Sequence, residues 1–162
     1  MRGSPTARKT LSCALSVRLP LLFALALRHT ARLDRCAWAQ FSQHLQRVWL
    51  VGAHDDTVQK TYLVSGSVTD NLQPGTYAVY SRSRWATGVD DSGVMQYFVR
   101  FTQGPTGAAI GFHSIPTKDG TPLQTTAQLG TPQSHGCIRQ WKPDAIALWH
   151  FAPVGTRVVV VA

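Results

Sequence analysis

Cys137 lies in the run Ser134-His135-Gly136-Cys137-Ile138-Arg139, and a second histidine, His113, stands upstream in Ile110-Gly111-Phe112-His113-Ser114. A thiol attacks as its thiolate, and an ordinary cysteine pKa of about 8.5 leaves little thiolate at neutral pH. A histidine within hydrogen-bond reach can take the proton, and small neighbours let a substrate carbonyl and backbone N–H groups come close. Gly136 has no side chain to obstruct that approach. The chemistry these residue types point to is acyl transfer through a cysteine nucleophile.

Such a loop has to be presented by a scaffold, and the periodicity around it is that of strands. Met95, Tyr97, Val99 and Phe101 alternate with Gln96, Phe98 and Arg100, the spacing of a strand with one strongly apolar face. Tyr77 and Val79 alternate with Ala78 and Tyr80 after the turn signal Pro74-Gly75. Short apolar or β-branched runs over 47–51, 61–65, 108–112 and 156–161 are bounded by Gly, Asp, Asn or Pro. One helix is expected. Pro143 suits its first turn, Asp144 its N-terminal end, and Ala145, Leu148 and Trp149 can share a face. The connection from Pro116 to Pro132 is long for a compact domain. It opens with the turn chemistry Lys118-Asp119-Gly120 and reads as a lid or wall over Cys137, or as a solvated hairpin.

A chain of 162 residues is the length of one domain with a real core. The formal charge of +8 is concentrated in residues 1–35, which hold seven basic residues against Asp34 alone, whereas the rest has nine basic and seven acidic residues. No basic run with interleaved aromatics follows, so nucleic acid is not an expected partner. The chain has no glutamate, which removes one residue type from any paired-carboxylate site. Residues 1–39 form a basic and apolar leader whose uninterrupted stretch, Leu19 to Leu27, has the length of a signal-peptide core and is too short to span a bilayer. Ala37-Trp38-Ala39 offers a small-x-small cleavage site, leaving a domain over residues 40–162. Cleavage there would remove Cys13 and Cys36, and Cys137 would be the single thiol of the exported protein.

The two catalytic segments together resemble the signature of the L,D-transpeptidase catalytic domain, the YkuD-type family that remodels peptidoglycan. That signature is a histidine, a spacer, then Ser/Thr-His-Gly-Cys, a hydrophobic residue, and Asn or Arg. Further likeness runs through Gln73-Pro74-Gly75-Thr76-Tyr77-Ala78-Val79 and Pro153-Val154-Gly155-Thr156-Arg157-Val158, so that the resemblance covers residues 46–162. It implies a mainly β fold, a sandwich with one short helix near the catalytic loop, and no cofactor or metal. It also implies Cys137 as nucleophile and His113, the family's first histidine, as general base, with His135 the nearer competitor in sequence. Gly136 and Cys137 N–H groups are candidates for the oxyanion hole. Ser114, Ser134 and Arg139 are assigned to substrate contact, with Ser134 also able to bond within the loop and Arg139 to anchor it. No Asp in the motif orients the histidine, which leaves a backbone carbonyl for that task. His44, His54 and His150 have no such context.

The implied reaction takes peptidoglycan stem peptides as donor and acceptor and makes 3→3 cross-links in the cell envelope, outside and peripheral to the membrane. With water as acceptor the same protein would be an L,D-carboxypeptidase. Two readings come from other classes: a zinc site on His113, His135 and Cys137, which lacks the usual ligand spacing and a fourth ligand, and a non-catalytic wall-binding module.

Overall fold

The computed structural model describes residues 36–53, 55–89 and 92–162. Of the leader, residues 1–35 lie outside the described residues, as does His54. Among the described residues the scaffold is mainly β: two sheets packed face to face with one α-helix. The first sheet has the order β3 (Val58–Leu63), β2 (Arg47–Val51), β1 (Trp38–Ser42), β11 (Arg157–Val161), β4 (Gly75–Ala78). The second is built on β6 (Val94–Gln103), flanked by β7 (Ala109–Ser114) and β5 (Ser81–Thr87), with β10 (Ile138–Gln140) beyond β7. A small hairpin of β8 (Thr117–Lys118) and β9 (Thr121–Pro122) follows β7.

The apolar face expected in β6 is buried at Met95, Tyr97, Val99 and Phe101, but Phe98 on the opposite face is buried as well, against His113. Val158 and Val160 of β11 are buried in the first sheet, where the strand is paired on both sides, parallel to β1 and antiparallel to β4. The two inner faces meet through aromatic rings. Phe41 of β1 meets Phe112 of β7 edge-on at 6.4 Å, Phe101 lies 5.1 Å from Phe112, and Tyr77 of β4 lies 5.5 Å from Phe101. Burying each such ring contributes roughly 1.5–3 kcal/mol, which makes this seam the main cohesive element between the sheets.

The helix, α1 (Lys142–Phe151), has Pro143 in its first turn and buries Asp144, Ala145 and Leu148. It packs against β6 and β7, with Trp149 edge-on to Tyr97 at 5.9 Å. Arg82 of β5 lies 3.9 Å over the Trp149 ring and donates to the Trp149 carbonyl, a cation placed at the helix C-terminus where the exposed carbonyls favour it.

Two strands depart from the sequence reading. β5, Ser81-Arg82-Ser83-Arg84-Trp85-Ala86-Thr87, carries no apolar alternation: half-buried Arg82 lies on Trp149 and exposed Arg84 covers the Tyr97 ring at 4.2 Å, the guanidiniums taking the place of apolar side chains. β1 includes Trp38 and Ala39, the residues of the expected cleavage site, and Ala39 is fully buried beside Val158 and Leu50. The segment 61–65 is also not one strand: β3 ends at Leu63, and Ser65 bridges instead to Arg139.

Candidate active site

β7 and β10 run parallel in the register Ile138↔Phe112, Arg139↔His113, Gln140↔Ser114. Alternation along each strand then sorts their side chains. Ile110, Phe112 and Ile138 turn into the core, and Gly111, His113, Cys137 and Arg139 share the opposite face. One step back along the register, Cys137 stands beside Gly111, whose backbone hydrogen-bonds to its sulfur. Cys137 and His113, the residues expected as nucleophile and base, are therefore diagonal neighbours on adjacent strands.

His113 is buried, and its Nδ1 lies 2.6 Å from the Ser114 carbonyl oxygen. A carbonyl can only accept, so Nδ1 carries the hydrogen and Nε2 keeps its lone pair. A backbone carbonyl thus does the orienting that the motif's lack of an Asp left open. Phe98 of β6 closes the other side, edge-on to the imidazole at 5.3 Å. Burial is the main cause that lowers the His113 pKa to about 4; Arg139 and Arg100 push the same way, and the Ser114 contact opposes them. The imidazole is neutral at neutral pH.

Burial also raises the Cys137 thiol pKa above the ordinary range, against the pull of the Gly111 hydrogen bond and of Arg139 and Arg100. The thiol donates to the Ala109 carbonyl at 3.4 Å. The resting pair is therefore neutral on both sides, a base with a free lone pair and a protonated thiol, and not an ion pair. Charge separates only when the sulfur begins to attack.

The loop ahead of Cys137 is held from within. Ser134 Oγ donates to the Cys137 carbonyl at 2.5 Å and accepts from the Gly136 N–H at 3.1 Å, and Asn71 Nδ2 donates to the His135 carbonyl at 2.6 Å. This narrows the expected oxyanion pocket, because the Gly136 N–H is already engaged; the Cys137 N–H donates to none of the described residues. Ser114 is likewise occupied, its Oγ accepting from the Gln96 N–H at 3.0 Å. Ser134 thus spends its hydroxyl hydrogen inside the loop, whereas Ser114 as an acceptor keeps its own. His135 is exposed and touches the site through its backbone. His44 and His150 are exposed too. No three His, Cys, Asp or Glu side chains converge as a metal group among the described residues.

Between the catalytic segments the chain forms the β8–β9 hairpin, a single 3-10 turn over Thr126–Gln128, and a return along residues 64–68. Gln124 is buried and donates to Ser65 Oγ at 2.6 Å, and Ser65 exchanges backbone hydrogen bonds with Arg139. The connection is thus part hairpin and part wall, tied to the strand neighbour of Arg139.

Three residues of this site went unassigned in the sequence. Gly111 is one: a Cβ there would fall 2.2 Å from the Val99 carbonyl oxygen and 2.8 Å from Arg100 Cα. A glycine inside an apolar strand is the signal for such a close approach. Arg100, half-buried on the catalytic face of β6, is the second, and a charge alternating with apolar residues was its only mark. Asn71, from a loop distant in sequence, had none.

Known proteins resemble parts of this chain. The Bacillus subtilis (strain 168) protein YciB is 49% identical over 51 residues, covering 30% of this chain and 26% of YciB. An L,D-transpeptidase from Mycobacterium smegmatis superposes with a TM-score of 0.64 at 15% identity, over 78% of this chain and 58% of that one. L,D-transpeptidase 3 from Mycobacterium tuberculosis, solved with a faropenem-derived adduct, gives 0.55 at 20% identity, over 78% and 60%. The chain spans about a quarter of YciB and about three fifths of these two solved proteins, with which it shares the fold. The model of the YkuD family, the L,D-transpeptidase catalytic domain, matches residues 38–160, from the first residue of β1 into β11 and through both catalytic segments. The chain belongs to that family.

Proposed function

We propose that this protein is a peptidoglycan L,D-transpeptidase that forms 3→3 cross-links through a thioester on Cys137. The observation that carries the reading is the placement of Cys137 and His113 on one face of adjacent parallel strands, with Nδ1 held by a carbonyl and Nε2 left free. Cys137 Sγ attacks the carbonyl of the third stem residue while its proton passes to His113 Nε2. The resulting oxyanion is met by the Cys137 N–H. Collapse breaks the bond to the terminal D-alanine, whose amine leaves with the proton from His113. An amine of a second stem then attacks the thioester, the new amide forms, and the thiol is restored. Water in place of that amine gives the free acid.

The substrate of this reading lies outside the cytoplasmic membrane, so the reading includes export to the cell envelope. Intact-mass spectrometry of the protein after incubation with a tetrapeptide stem tests the chemistry. The expected result is an adduct of the stem less D-alanine, absent in Cys137→Ala; incubation with a carbapenem instead should leave its adduct on the same residue. Turnover by the Cys137→Ala protein at the wild-type rate would overturn the reading. Adding an acceptor stem separates cross-linking from hydrolysis.

A further inference from the structure

The catalytic face is two rows of residues deep. The β6–β7–β10 register sets Arg100, Gly111 and Cys137 in one row, and Phe98, His113 and Arg139 in the next. Arg100 and Arg139 thus stand on opposite sides of β7, diagonal to one another across the bare backbone of Gly111 and the ring of His113. Both residues are half-buried. Neither has a carboxylate partner among the described residues, whereas Lys60 pairs with Asp144 at 2.7 Å. Two cations drawn partly out of water on one face and left without a counter-charge are costly unless an anion joins them.

Arg100 is also held in place for such a role. Its guanidinium lies 4.1 Å over the Phe98 ring, and Nη1 donates to Ser83 Oγ at 2.8 Å and to Ser81 Oγ at 3.5 Å. Those contacts use one nitrogen. Nε and Nη2 donate to none of the described residues, and a planar fork with free donors matches a carboxylate. The serines and the ring fix the orientation in advance, so little side-chain freedom is lost when the anion arrives.

We infer that Arg100 and Arg139 together form an anion subsite beside Cys137, which takes a carboxylate of the acyl donor. That the donor is a stem peptide rests on the proposed function; the subsite does not. Two carboxylates of such a donor have this chemistry: the one on its terminal residue, and the one on the side chain of its dibasic third residue.

Thiol alkylation tests the subsite without any turnover. In both iodoacetate and iodoacetamide the Cys137 thiolate displaces iodide and forms a C–S bond, and the reagents differ in a carboxylate against a neutral amide. A change in thiolate fraction affects both equally and cancels in their rate ratio. Arg100→Gln should lower the iodoacetate-to-iodoacetamide ratio about fivefold relative to wild type, with Arg100→Lys between them. Raising the salt should lower the ratio in wild type and leave Arg100→Gln nearly unchanged. Should Arg100→Gln fail to fold, the lysine variant and the wild-type salt series decide the matter. A ratio that is the same in all three proteins, or one indifferent to salt in wild type, would overturn the subsite.

The stem arms then identify the carboxylate. In Arg100→Gln, kcat/KM should fall about tenfold on the stem with both carboxylates free. It should fall much less on whichever stem has the recognised carboxylate amidated. If wild type shows the charge-dependent alkylation but processes no stem, the subsite stands and the proposed function falls.

Discussion

The pairing of a buried, neutral His113 with a protonated Cys137 has consequences in pH. To accept the thiol proton, His113 has to be neutral, and its pKa of about 4 keeps it so well below the 6.5 of a free imidazole. The acid limb of kcat/KM should therefore fall near pH 4 and not near 6.5. An acid limb near 6.5 would mean that the imidazole is solvated when it works. Stability follows the same group. Between pH 6.5 and 4 the unfolded chain binds a proton on His113 that the folded chain refuses, so stability present above 6.5 is lost as pH falls to about 4. The total is roughly 3 kcal/mol. Urea unfolding near pH 7.5 and near pH 4.5 should show that loss in wild type and a smaller one in His113→Gln. An equal pH dependence in the two proteins would remove the buried neutral imidazole.

At the level of the elements, the site depends on how closely β6 can lie against β7. Gly111 permits this, because any Cβ there would collide with the Val99 carbonyl and the Arg100 backbone, atoms that cannot swing aside as a flexible side chain would. Gly111→Ala should cost about 1–3 kcal/mol or more through forced displacement of the strands. It should also slow Cys137 alkylation, since Cys137 neighbours Gly111 across β7 and β10. Thermal unfolding and alkylation measured on the same preparation check both effects. A variant with the wild-type midpoint would show that the strands have slack. The element scale is also where sequence patterns were least informative. No apolar alternation marks β5, whose arginines Arg82 and Arg84 find aromatic partners on α1 and β6.

For the molecule as a whole, β1 matters most, because it joins β2 to β11 at the centre of the first sheet. A protein beginning at Gln40 would lack Trp38 and Ala39, which pair with Arg157 and Val158 on one side and Val51 and Leu50 on the other. It would also lose the Arg157 guanidinium's place 4.6 Å over the Trp38 ring. A chain of residues 40–162 should be about 2–4 kcal/mol less stable than one of residues 36–162, from ladder hydrogen bonds, the buried alanine and the cation–π contact. Denaturant unfolding of the two compares them directly. Equal midpoints would make these two residues dispensable and leave Gln40 a workable start.

The candidate thiol and its histidines, the apolar face of β6 and the apolar runs that become β7 and β11 could be read from residue types and spacing, because residue chemistry and the composition of a strand are local properties. So could the helix, from Pro143, Asp144 and its apolar face. The state of the pair could not be read that way: a histidine and a cysteine in sequence suggest an ion pair as readily as a neutral one. Burial against Phe98 and the strands on either side selects the neutral pair. Nor does any local pattern place Arg100 diagonal to Arg139, or put Trp38 and Ala39 inside a strand. Those depend on register between strands that are far apart in the chain, and register is set by which faces must be buried together.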